Sequence, residues 1–333
     1  GAYRLTIIEY WLLLILGIIG GNMILLSNDL IMIYLGIELY SFTIYILIIN
    51  KENKITKNIS IFYLLISSLS TGILLLGFIL IYKNLGSLNI EIINLILQDY
   101  SKYTKIILSI TLVLIALIFK LGLIPFSYWM LRVYRNLDVQ LIIYQLIVPK
   151  IYFFYILLKF VENFNNITIT NFLYIIGILS LIFGSVGGII QKKVNSILAY
   201  SSILNMSFLI ISIGIQGYLL NNNLIGILSY ISSYAQYFQY ILIYIINIIG
   251  IYGIFLLTQL KVESKIKYLS LIIIILSFIG IPPLSGFYAK LGILMTYCQP
   301  FFLGLVLTNS ITNIIISTII LFIIGTILSS IYY

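Results

Sequence analysis

The sequence predicts an all-α polytopic membrane protein of about ten or eleven transmembrane helices. They are arranged as two inverted five-helix repeats, each with one broken helix. Three observations predict it. The chain of 333 residues is 62% hydrophobic and only 8% charged, with a mean hydropathy of +1.17, whereas soluble domains carry roughly 25% charged residues. Its apolar runs recur at the length of about 20 residues that a bilayer core requires. Two Pro/Gly hexapeptides echo one another, "GLIPFS" at 122–127 and "GIPPLS" at 280–285. Each falls in the fourth span of a five-span half, and an odd number of spans inverts the second half relative to the first.

The spans follow in order. Residues 7–26 and 29–49 are separated by the tight turn "LLSNDLI", and the polar loop "NKENKITKN" precedes 59–82. The runs 105–130, which holds the first hexapeptide, and 139–160 complete the first repeat, residues 1–160. The second repeat, 170–333, contains 170–190, then "QKKVN", 194–216, 229–257, 268–298 with the second hexapeptide, and 300–331. The last run is long for one helix and short for two, which leaves the count at ten or eleven. The whole of 1–333 reads as a single membrane domain. No cleavable secretory signal is visible, and the first run reads as a genuine span.

The net charge of +9 is a property of the loops rather than a nucleic-acid footprint. On one side fall Arg4, Lys51, Lys54, Lys57, Arg132, Arg135, Lys192, Lys193, Lys261, Lys265 and Lys267; on the other fall Lys83, Lys102, Lys105 and Lys159. That bias predicts the N-terminus on the matrix or cytoplasmic side. Three lysines remain, Lys120, Lys150 and Lys290, all within spans, together with one acid, Glu38. Each costs about 2.5–3.5 kcal/mol on insertion scales and marks a functional position by default. The plainer roles are a snorkelling lysine near a span end and, for Glu38, a helix-packing hydrogen bond.

Of five prolines, Pro125, Pro149, Pro282 and Pro283 lie within eight residues of one of these lysines. All four read as helix breaks. A broken helix is tolerated in a bilayer where the freed backbone lines a wet cavity or is buried in protein, and transporters place ion sites there. A simple packing kink is the plainer use of Pro, but it leaves the clustering with lysines unexplained.

The chain has no histidine and one cysteine, which excludes a disulfide framework and a Cys/His metal cluster. Proton chemistry must therefore use Lys, Glu, Asp, Tyr or water. Neither a nucleotide loop nor a Rossmann pattern is present, so the chain holds no redox site of its own.

Five stretches together resemble a known family: "YLGIELYSFTIYIL" (34–47), "FKLGLIPFSYW" (119–129), "VPKI" (148–151), "LAYSSILNMSFLI" (198–210) and "GIPPLSGFYAK" (280–290). They are similar to the motifs of the antiporter-like membrane subunits of respiratory complex I. Within that family they look most like the subunit 2 branch: Lys290 is followed by Leu291, where subunit 5 usually has an acid, and subunit 4 has an acid in the lysine position. The resemblance implies proton translocation along a buried Glu/Lys/water axis. In it Glu38 pairs with Lys120, Lys150 connects onward, and Lys290 is the terminal lysine.

The resemblance also implies a place in NADH:ubiquinone oxidoreductase, with FMN, iron–sulfur clusters and quinone in partner subunits and no cofactor or metal in this chain. Other membrane-arm subunits, accessory subunits and phospholipids such as cardiolipin are the implied partners, with no nucleic acid. The implied location is the mitochondrial inner membrane, with bacterial or plastid membranes as alternatives. If the spans match the family in order, the resemblance implies that about three N-terminal family helices are absent and that the last helix is missing or compressed into 317–333. Two departures stand out: "MLRVYRNLD", with Arg132 and Arg135, replaces a Pro and an acid, and Asn205 stands where the family often has His. Two other functions remain open, an Mrp-type cation/proton antiporter subunit and a structural subunit that does not pump.

Overall fold

A computed structural model describes residues 7–49, 54–96, 100–164, 166–221, 227–259, 265–302 and 309–333. Arg4, Lys51, Glu52, Asp99, Lys261 and Glu263 lie outside the described residues, as do the side chains of Lys102, Lys105, Lys265 and Lys267. The chain divides into two compact units, Gly1–Asn165 and Asn166–Tyr333.

The first unit holds α1 (Ile7–Leu26), α2 (Leu30–Ile49), α3 (Lys54–Leu85), α4 (Ile90–Ile96), α5 (Tyr100–Leu121), α6 (Tyr128–Tyr134) and α7 (Val139–Asn163). The second holds α8 (Ile167–Ile189), α9 (Val194–Asn221), α10 (Ile227–Gln259), α11 (Lys265–Ile279), α12 (Ser285–Phe302) and α13 (Asn309–Tyr332). Among the described residues the only extended pairing is the isolated bridge between Asp29 and Asn89.

Among the described residues eight helices are long and apolar enough to cross a membrane. Two shorter apolar stretches, Ile106–Leu121 and Leu269–Ile279, are the first halves of the fourth span in each unit. Both spans stop at their hexapeptide and resume as α6 and α12. The most enclosed helices are α7 and α9, with 72% and 89% of their central windows buried. They read as apolar on every side because each is surrounded by protein. Buried serines on α9 are satisfied within their own turn: Ser201 donates to Leu198 O (2.9 Å) and Ser202 to Ala199 O (2.9 Å).

Several boundaries move. Helix α3 begins at Lys54, so Lys54 and Lys57 are exposed residues of its first turns rather than loop residues. The short α4 has no counterpart among the predicted spans. It buries Ile90 and Ile93, and the chain around it bonds to the α1–α2 turn through Ile90 N to Asn28 O (2.9 Å) and Leu30 N to Leu88 O (3.1 Å). Lys159, on the last turns of α7, donates to Ser27 O (2.9 Å), while Asn28 Nδ2 donates to Glu91 Oε1 (2.6 Å). The tight turn is thus fastened from two sides. At the other end of the chain α13 is one helix, so residues 317–332 continue it and form no separate compressed helix.

The largest correction concerns Pro149, which does not break its helix; α7 runs through it without interruption. Proline has no N–H to give the carbonyl four residues earlier, and that loss ordinarily kinks a helix. Here the freed carbonyl is Gln145 O, and the buried Tyr134 hydroxyl donates to it at 3.1 Å. A side chain from α6 supplies the missing bond, as neighbouring helices do for proline within membranes. Tyr134→Phe is expected to leave that carbonyl unpaired and to cost about 1–3 kcal/mol, measurable as a lower thermal midpoint of the solubilised protein.

Candidate functional site

The two helix breaks share one construction. Gly122 (φ 73°) and Gly280 (φ 89°) both sit in the left-handed region that favours glycine. A backbone bond reaches back five residues past each: Leu123 N to Ile118 O and Ile281 N to Leu276 O, both 3.2 Å. Those bonds and the left-handed glycine form a Schellman-type helix end. The third position after each glycine is a proline in a cis peptide, Pro125 and Pro283. The chain then turns through Phe126 N to Leu123 O (2.7 Å) and Leu284 N to Ile281 O (3.0 Å) before the next helix starts. Pro282 precedes Pro283 in the second break, so three of the four predicted break prolines lie at breaks.

A helix end leaves its last four carbonyls without partners and carries partial negative charge. Lysines occupy both of these ends. In the first unit Lys150, buried on α7, donates to Leu121 O, the last residue of α5, and its Nζ lies 3.9 Å from Met130 Sδ. In the second unit Lys290, 8% exposed, reaches back from α12 to Phe278 O (2.7 Å) and Ile279 O (2.8 Å), the end of α11. An ammonium group is well matched to these carbonyls because it offers three donors and no acceptor.

Lys120 is placed differently. It lies on α5 ahead of the break, two residues before Gly122, whereas Lys290 lies beyond its break. The Lys120 Nζ is buried and has no hydrogen-bond partner. It lines a cavity of about 10 Å³ with Tyr40, Tyr63, Ser67, Ser70 and Gln145, close to the lower limit for one water. Glu38, half-buried on α2, is the acid whose charge acts on Lys120. Its carboxylate does not bond to the lysine; Ser41 Oγ donates to its Oε2 (3.4 Å) and to its backbone carbonyl (2.9 Å). The two side chains therefore form no closed ion pair in this structure.

Gln145 was not foreseen. It accepts from the Tyr40 hydroxyl (3.3 Å), and its Nε2 is buried without a partner on the same cavity as Lys120. No local sequence pattern singles it out, because its partners lie on other helices.

The second unit has a comparable arrangement around Lys290. A cavity of about 20 Å³, room for a water, is lined by Asn205, Tyr240, Asn247, Ser277 and Lys290. Tyr240 donates to Asn205 Oδ1 (2.6 Å), Asn205 Nδ2 donates to Ser201 O (2.7 Å), and Ser277 donates to Asn247 Oδ1 (2.6 Å). Asn205 is thus a fixed polar wall of the Lys290 cavity, able to orient water but not to carry a proton. Arg132, one of the departures, is exposed and stacks over the Phe62 ring at 4.2 Å. That position accounts for its tolerance beside the first break, because a guanidinium over an aromatic face is favourable.

The site residues thus gather as Glu38, Lys120 and Lys150 in the first unit and Lys290 in the second, each unit with its own helix break. The family described as "NADH:quinone oxidoreductase/Mrp antiporter, TM" matches residues 27–317. The chain belongs to this family. As a member it is a multi-pass membrane protein, and both breaks and all four site residues fall within the matched region. The chain is 31% identical over 317 residues to "NADH-ubiquinone oxidoreductase chain 2" of Rhizopus oryzae, covering 90% of this chain and 60% of that protein. It therefore spans about 60% of the length of that relative.

Its fold is shared with two solved assemblies. A chain of the archaeal membrane-bound sulfane sulfur reductase superposes with a TM-score of 0.79 at 17% identity, covering 100% of this chain and 66% of that one. A chain of respiratory complex I from Thermus thermophilus gives 0.74 at 19% identity, covering 99% and 70%.

Proposed function

We propose that this chain is a proton-translocating, antiporter-like membrane subunit of a complex I-type NADH:ubiquinone oxidoreductase. The observation that carries the reading is the Lys120 ammonium, buried without a bond beside the charge of Glu38. A buried cation with no bond to hold it is costly as structure, and it is suited to gaining and losing a proton. The name of the fungal relative supports placing it in complex I.

In this reading Glu38 attracts a proton to Lys120 through its field. A proton on Lys150 and one on Lys120 repel across the end of α5, so a charge arriving at one favours departure from the other. Such groups titrate as a coupled set rather than as independent sites. Lys290 plays the terminal part in the second unit, with Asn205, Tyr240 and Ser277 ordering water around it. The two units act as inverted repeats, which the matching order of spans and breaks supports. FMN, iron–sulfur clusters and quinone belong to partner subunits, which supply the redox energy. The remaining membrane-arm subunits, accessory subunits and phospholipids surround it in the inner mitochondrial membrane, with the N-terminus on the matrix side.

The second half of the family description, Mrp antiporter, favours one alternative: a cation/proton antiporter subunit working without a redox partner. Gentle solubilisation followed by native electrophoresis separates the two. The chain is expected in a very large band that oxidises NADH; recovery in a smaller assembly without that activity would support the antiporter and overturn the lead reading.

A further inference from the structure

A second open space in the second unit lies away from the lysine axis. It is a cavity of about 250 Å³ between four helices, lined by the first turns of α9, the C-terminal part of α10, the middle of α11 and the end of α13. Val194, Ile197, Ile254, Leu271, Ile274 and Tyr332 are among the residues that line it, and eight of its ten lining residues are aliphatic. Tyr332 and Tyr333 are its only polar side chains, too few to hold a chain of waters, because a water needs two to four polar partners. Val194 and Leu271 are exposed on its rim, so the space opens outward and is not a sealed packing defect.

The rim is basic. Lys192 and Lys193, both exposed, immediately precede Val194 at the mouth. Apolar volume within a span and clustered positive charge at its end form an amphipathic pair. A soluble anion would leave the cavity unused, and a neutral apolar molecule would leave the lysines unused.

We propose that this cavity binds one acyl chain of an anionic membrane phospholipid, with its phosphate held by Lys192 and Lys193 at the start of α9. The site is independent of the proton axis and stands whether or not that reading does. A bound chain would pack α9, α10, α11 and α13 together at the end of the unit that carries the second break.

Photolabelling in nanodiscs tests it. The assembly that carries the chain is reconstituted in phosphatidylcholine with either phosphatidylglycerol or phosphatidylcholine bearing a diazirine in its acyl chain, and labelled peptides are mapped by mass spectrometry. Labelling by the phosphatidylglycerol probe is expected to concentrate on residues 194–198 and 271–275. It should exceed that by the phosphatidylcholine probe on the order of ten-fold, the effect of two lysines near a headgroup. Ile274→Trp, which fills the cavity, should remove the concentrated label. The double substitution Lys192→Gln and Lys193→Gln should erase the headgroup preference and leave chain labelling in place. If Ile274→Trp fails to assemble, excess unlabelled phosphatidylglycerol must displace the label from the unsubstituted protein. Even labelling around the protein regardless of headgroup, label that no competitor displaces, or crosslinks from these peptides to a protein segment would each overturn the proposal.

Discussion

Lys290→Met is expected to lose proton movement and stability together, whereas Lys120→Met loses proton movement alone. The difference follows from what each ammonium holds. Lys290 Nζ donates to Phe278 O and Ile279 O, so its removal leaves two buried carbonyls at the end of α11 without their donor. Each unsatisfied group costs about 1–3 kcal/mol, and the helix-end charge loses its counter-charge as well. A drop of several degrees or more in the thermal midpoint is the expected result, with less protein reaching the full assembly. Lys120 Nζ holds nothing, and replacing an unpaired buried cation by an apolar side chain of similar length is neutral to stabilising. Equal loss of stability in both variants would contradict the two different roles.

Gly286→Ala is expected to be the most damaging single-methyl change in the second unit. A Cβ at Gly286 would lie 1.7 Å from the backbone oxygen of Ser277. That oxygen belongs to the backbone of α11 and cannot rotate away, so α12 must move bodily off its partner. Overpacking of this kind costs about 1–3 kcal/mol when neighbours can yield, and here no side chain is available to yield. The shift would also carry Lys290, one turn further along α12, away from the carbonyls it caps. Gly72→Ala is the control, because a Cβ there meets nothing within 4 Å. The Gly286 variant should fail to assemble on native gels while the Gly72 variant runs as the unsubstituted protein. Normal assembly and turnover of Gly286→Ala would contradict the close packing of α12 on α11.

The spans and both breaks were legible in the sequence for physical reasons. Runs of about 20 apolar residues have few alternatives in a chain with 8% charge, and a glycine followed within three residues by proline ends a helix and delays its restart beyond the proline. The coincidence of those breaks with lysines was equally visible. Pro149 was misread because its compensating donor, Tyr134, lies on another helix, and no local pattern reports a bond made across helices. The same is true of Gln145, Asn247 and Ser277. In a chain with 28 tyrosines and many serines, composition does not say which polar side chains face a lysine and which bond back to their own turn. The offset between Lys120, before its break, and Lys290, beyond its own, is written in the sequence. Its consequence, one lysine free and the other capping a helix end, needed the three-dimensional path of the chain.

Protons taken up per NADH oxidised, measured in proteoliposomes carrying the Lys120→Met assembly, test the central claim most directly. The account predicts a fully assembled complex of undiminished thermal stability that moves fewer protons per electron than the unsubstituted one. Unchanged proton uptake at unchanged assembly would contradict it and leave this chain as a structural member of the membrane arm.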